Sequence, residues 1–176
     1  MNLADTRAGR RLLAGVAAVM LMAAPAVAAG VRAAGVRAAA GSPRVVTSAG
    51  GSPRFAGFRR TPREIVYSGD GSAFIAGAGH GSPAIVWSRW DAHAGRGRGA
   101  DWHDNCIPDC AGGHFTAYPA TITVYRPRRL GGYLLFTRMT TAFSGPRPPY
   151  PGFRRAVITY RLQYQASAHT FFWSFP

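Results

Sequence analysis

The strongest constraint lies near the C-terminus, where Ala156, Ile158, Tyr160, Leu162 and Tyr164 alternate with Val157, Thr159, Arg161 and Gln163. A period of two puts one set on a buried face and the other toward water, the pattern of a half-buried β-strand. Residues 121–125 (Thr-Ile-Thr-Val-Tyr) and 133–143 read the same way, the second being aromatic and Thr-rich with Leu135, Met139 and Phe143 on one face. Shorter candidates are 64–67, 73–76 and 85–90, with a Gly69-Asp70-Gly71 turn between the first two and Ile85 and Trp87 on a shared face. Gly131-Gly132 and the Pro-rich stretch 146–152 separate the later strands, which predicts an antiparallel meander of three. No amphipathic helical period interrupts them. About six short strands punctuated by Gly and Pro predict an all-β domain, an antiparallel β-sandwich or small barrel.

The N-terminal part reads differently. Arg7, Arg10 and Arg11 precede an uncharged apolar or small run over 12–24, Pro25 ends it, and Ala26-Val27-Ala28 supplies a small-x-small cleavage pattern. Residues 1–28 are therefore expected to be an export signal, giving a secreted product. The stretch 12–31 is also just long enough to span a bilayer, so an uncleaved membrane anchor is the alternative. Between 29 and 60, Gly-Val-Arg-Ala-Ala occurs at 30 and 35 and Gly-Ser-Pro-Arg at 41 and 51. Small residues with Gly, Ser, Pro and Arg bury too little apolar surface to offset chain entropy, which predicts a disordered basic linker carrying Arg32, Arg37, Arg44, Arg54, Arg59 and Arg60. Residues 61–176 remain as one β-rich domain.

The chain carries 21 basic and 7 acidic residues, a formal net charge of +14, and every basic residue is Arg. Uniform use of Arg fits GC-rich codon usage as well as selection for a basic surface. Within 61–176 the excess is carried by two groups. Arg126, Arg128 and Arg129 follow one strand, and Arg147, Arg154 and Arg155 flank the Pro-rich loop with Tyr150 and Phe153. If these two loops share one end of the sheet, Arg beside aromatic rings forms a site for phosphate, uronate or sugar rings. The partner expected from this chemistry is an anionic envelope polymer or another polyanion, with no dedicated cofactor.

Two cysteines, Cys106 and Cys110, lie in Asn105-Cys106-Ile107-Pro108-Asp109-Cys110. An exported chain meets an oxidising compartment, and an even count favours a bridge between them. The alternative is a metal site on His103, Cys106, Cys110 and His114, four donors that zinc accepts, although structural zinc sites use closer Cys pairs and a longer gap to the His residues.

Several segments together carry a resemblance: Ser68-Gly69-Asp70-Gly71-Ser72, Trp87-Ser88-Arg89-Trp90, Ala94-Gly95 with Gly97, the run from Asn105 through Cys106-Ile107-Pro108-Asp109-Cys110 to Ala111-Gly112-Gly113, Tyr118-Pro119 and Thr123-Val124. This pattern resembles a family of small actinobacterial secreted proteins of unknown function with a Cys-x-Pro-x-Cys-Ala-x-Gly core. The resemblance spans about 64–143 and implies secretion and a β-rich domain. That family often has a Cys just before Gly-Asp-Gly, where Ser68 stands here.

Catalytic signatures are lacking. Neither Gly71-Ser72-Ala73 nor Gly81-Ser82-Pro83 completes a nucleophile elbow, His80 and His93 sit in Gly-rich or polar loops, and Gly95-Arg96-Gly97-Arg98-Gly99 has the glycines of a phosphate loop without its Lys and Ser or Thr. The last reads as a flexible loop with two exposed arginines. A hydrolase of envelope polymers requires Asp101, His103 and Asp104 to converge in a pocket. The leading expectation is a secreted, non-catalytic β-domain, with that hydrolase or a purely structural extracellular protein as alternatives.

Overall fold

The computed structural model describes residues 41–48, 57–78 and 84–175. The expected signal segment, His80 and Ser82 lie outside them. The described chain is all-β: β1 (Val45–Val46), β2 (Phe58–Arg59), β3 (Ile65–Val66), β4 (Ala73–Ala76), β5 (Val86–Trp90), β6 (Ala94–Asp104), β7 (Phe115–Leu130), β8 (Tyr133–Phe143), β9 (Val157–Gln165) and β10 (Thr170–Ser174), with one 3-10 turn at Pro151–Phe153. Strands β1 and β2 pair alone. The others form one antiparallel sheet in the order β10-β9-β8-β7-β6-β4-β3, with β5 also pairing β6. Its curl makes a half-barrel.

The alternating segments are strands as their periods predict, and β7, β8 and β9 form the expected meander. Gly131 (φ 56°) and Gly132 (φ 87°) supply the two left-handed positions of the tight turn between β7 and β8. Ile158, Tyr160 and Leu162 face inward beside Met139, Phe136, Val124 and Ile122 in the core.

Residues 95–99 are not a loop but part of β6. Gly95, Gly97 and Gly99 form its inner face, while Arg96 and Arg98 point outward. A Cβ at Gly95 would lie 2.5 Å from the Trp90 ring, and one at Gly99 would lie 2.1 Å from the Ala76 carbonyl oxygen. The strand therefore shows no apolar alternation in its sequence, because its inner face is filled by indoles from β5. Among the described residues ten strands result instead of about six.

The packed region also begins upstream of the expected boundary at residue 61. Val45 and Val46 are fully buried in the core. Around them, the Arg44 amide donates to Leu134 O and Phe136 N donates to Arg44 O, while Val66 N donates to Thr47 O. The segment 44–48 thus straps β8 to the edge strand β3. Two core indoles hold it, Trp90 Nε1 donating to Pro43 O (3.2 Å) and Trp173 Nε1 to Val46 O (3.1 Å). A chain starting at residue 61 should therefore be less stable than one starting at 41 by about 4 kcal/mol from the two valines, with a Tm lower by roughly 15 °C. Calorimetry of the two truncations checks this; equal Tm values would make the strap dispensable.

Candidate functional site

The curl brings residues from distant strands together at its floor. Asp101 on β6 is completely buried, and its carboxylate receives hydrogen bonds from the Tyr67 hydroxyl after β3 (2.7 Å) and the Tyr160 hydroxyl of β9 (3.1 Å). His103, two residues along the same inner face, sets Nε2 3.2 Å from Asp101 Oδ1 and 3.0 Å from the Tyr67 oxygen. Burial, reinforced by the Asp101 carboxylate and, for Tyr67, by Tyr160, pushes both tyrosine hydroxyls well above their usual range. They are protonated donors at all ordinary pH values. Thr141 Oγ1 is buried nearby without a hydrogen-bond partner.

Beside this network opens a hollow of about 450 Å³ lined by Tyr67, His103, Asp104, Tyr150, Phe153 and Phe175 among others. Convergence of Asp101, His103 and Asp104 is only partial. Asp101 is sealed from the hollow's solvent by its tyrosines, and Asp104 Oδ1 accepts from Cys106 N. The serines on the lining are engaged elsewhere, Ser68 with Ala73 and Ser72 with Asp70. Among the described residues the groups within hydrogen-bond reach of His103 Nε2 are the Asp101 carboxylate and the Tyr67 hydroxyl, with no serine or thiol beside it.

Cys106 and Cys110 form the expected disulfide. Their sulfurs are therefore not thiolate ligands, and the alternative set with His103 and His114 is not assembled: His103 is buried inside the curl, while His114 is exposed and its amide donates to Asn105 Oδ1. Replacing both cysteines by Ser should cost about 2 kcal/mol, the entropy of so short a loop, and leave the fold intact. Chemical denaturation of the double variant measures it, and loss of the folded transition would contradict it.

The two expected basic loops do not share one end of the sheet. Arg128 and Arg129 stand opposite Leu135 and Leu134 near the β7–β8 turn, whereas Arg147, Arg154 and Arg155 follow the far end of β8 at Phe143, roughly 26 Å along the strand from Leu135. Arg126 adopts φ 54° and is exposed. Tyr150 leaves the basic group for the hollow, where its hydroxyl donates to Asp104 O. Arg147 is partly engaged, donating to Arg154 O.

Between the two groups runs a basic surface that loop-centred reading misses. Register places Arg96 opposite Thr123, then Thr140, then Thr159 across β6 to β9, and in the next row Tyr125 opposite Arg138, then Arg161. Arg98 lies opposite Thr121 in the row on the other side of Arg96. These residues share the outer face, since their neighbours Val124, Met139 and Tyr160 are fully buried. Strands β7, β8 and β9 contain no acidic residue. Arg89 opposite Arg96 is paired with Asp91, whose carboxyl is held down at about 2 by the Ala94 and His93 amides and then by Arg89. Arg154 and Arg155 line a shallow hollow with Val157 and Thr159, which extends the basic surface to its far end.

Compared with known proteins, the chain matches no family model, no curated protein and no solved structure.

Proposed function

We propose that the chain is an exported, non-catalytic β-domain that binds an anionic polymer of the cell envelope or its surroundings across the outer face of β6–β9. One observation supports this above the others: Arg138 and Arg161 are directly opposed on neighbouring strands, and no carboxylate lies on the face to separate them. Like charges in directly opposed positions destabilise a sheet. A bound polyanion removes that repulsion, and Thr121, Thr123, Thr140 and Thr159 add hydroxyl donors between the guanidinium groups. The arginines of 126–129 and 154–155 extend the same surface at either end. The export signal and the resemblance to secreted actinobacterial proteins agree with a polymer outside the cytoplasm, and the disulfide is compatible with that compartment.

Titration of the full chain with heparin, a teichoic-type polyphosphate and single-stranded DNA at low salt tests the reading. Binding to all three with little discrimination is expected, because the face offers charge and hydroxyls without base-reading pockets. Failure to bind any of them at low salt would remove the proposal and leave codon usage as the account of the charge.

A further inference from the structure

The hollow at the end of the curl is chemically unlike the arginine face. No arginine lines it, and the carboxylates Asp101 and Asp104 lie in or behind its wall. An anionic ligand is therefore disfavoured there. From the hydrogen-bond network the role of His103 Nε2 follows. The Tyr67 hydroxyl has one proton and gives it to Asp101 Oδ1, so Nε2 must be the donor toward the Tyr67 oxygen and Asp101. Nδ1 is then the ring nitrogen left outside this network. It makes no hydrogen bond among the described residues, and His103, 6% exposed, stands in the wall of the hollow.

Around this ring nitrogen stand aromatic rings. Phe153 meets the imidazole edge-on at 4.6 Å, Tyr150 lies 5.5 Å away, and Phe175 covers Tyr160 at 5.7 Å. Phe175 and Tyr150 are 44% and 39% exposed, so their faces remain open to a ligand. An apolar ligand would leave Nδ1 unpaired at a cost. A cation finds the Asp101 charge already met by three donors, and in the wall itself Asp104 Oδ1 turned to the Cys106 amide. What satisfies both the unpaired ring nitrogen and the aromatic walls is a neutral ring with an apolar face and a hydroxyl at its edge. We infer that the hollow is a binding site for a neutral saccharide ring, one hydroxyl hydrogen-bonded to His103 Nδ1 and the ring resting against Tyr150, Phe153 and Phe175. A volume of about 450 Å³ accommodates a mono- or disaccharide. This site is separate from the outer face and does not require polyanion binding.

Saturation-transfer NMR of the full chain tests the inference, with methyl β-glucopyranoside and methyl N-acetyl-β-glucosaminide as probes at about 10 mM, where a 1 mM ligand is near saturation. Binding of at least one is expected, weakened at least tenfold in His103→Phe and in Phe175→Ala. The second variant leaves the buried network intact, so it keeps the test valid if the first does not fold. Arg138→Thr should leave saccharide binding unchanged. No binding by either glycoside, binding indifferent to Phe175→Ala, or preferential binding of choline would overturn the inference, the last by making the hollow a cation site.

Discussion

Above pH 10 the fold is expected to lose stability by about 2.7 kcal/mol per pH unit, the slope of two protons bound by the folded state and released by the unfolded one. The groups are Tyr67 and Tyr160, whose hydroxyls burial and the Asp101 carboxylate hold above their ordinary range. Because the folded values are raised, the stabilisation is complete below the unfolded tyrosine value near 10 and is lost as pH rises beyond it. The composition makes the test unusually clean. Every basic side chain is Arg and keeps its charge through this range, and both cysteines are in the disulfide, so neither lysines nor thiols titrate beside the tyrosines. Tyr118, also raised by burial, adds to the slope only over the narrower window of its smaller shift. Urea unfolding between pH 9 and pH 11 measures the slope. Tyr67→Phe should reduce it to about half and, by removing a donor from Asp101, lower stability at neutral pH by about 1–3 kcal/mol. A stability that stays flat to pH 11 would mean that the two hydroxyls ionise freely and the network is not closed.

The opposed arginines predict that stability and affinity move in opposite directions. Replacing Arg138 by Thr removes the repulsion from Arg161 and supplies a good strand residue, so the free protein should gain about 0.2–1 kcal/mol. The same change removes one cationic contact and should weaken polyanion binding roughly threefold near physiological salt. Arg161→Thr should do likewise. The double variant should gain less stability than the sum of the two, because the repulsion can be relieved only once. Additive gains would show that the two guanidinium groups avoid each other in the free protein, which would remove the electrostatic ground for placing the ligand there.

How much of this was legible in the sequence depended on whether the signal was local. Strands β7, β8 and β9 carry large apolar side chains on alternate positions, and each was readable from its own residues. Strand β6 was not, because its inner face is glycine and the apolar groups that fill it, Trp87 and Trp90, belong to β5. The strap at 44–48 looked like linker because its partners, Leu134, Phe136 and Trp173, lie far along the chain. The disulfide was readable from spacing and count. For the candidate sites, Arg161 and Arg138 each stood visibly on the polar side of a strand, but their opposition depends on the β8–β9 register, which is set across the Pro-rich connection. Asp101 and His103 are two apart on one face, a usable hint once β6 is known to be a strand. That Tyr67 and Tyr160 close over Asp101 follows only from the curl.

The most direct test of polyanion binding on the outer face is its salt dependence in two full-length chains, wild type and a variant with Arg96, Arg98, Arg138 and Arg161 replaced by Gln, which share every arginine of the N-terminal region and of the loops. Logarithmic affinity for heparin is to be measured against logarithmic salt concentration from about 50 to 200 mM, the range in which counterion release is steep. The wild-type slope should be more negative than the variant's by about three, since each arginine that neutralises one anionic group contributes roughly 0.7–0.9. Identical slopes and affinities in the two chains would contradict the assignment and place any binding on the loops or the N-terminal arginines instead.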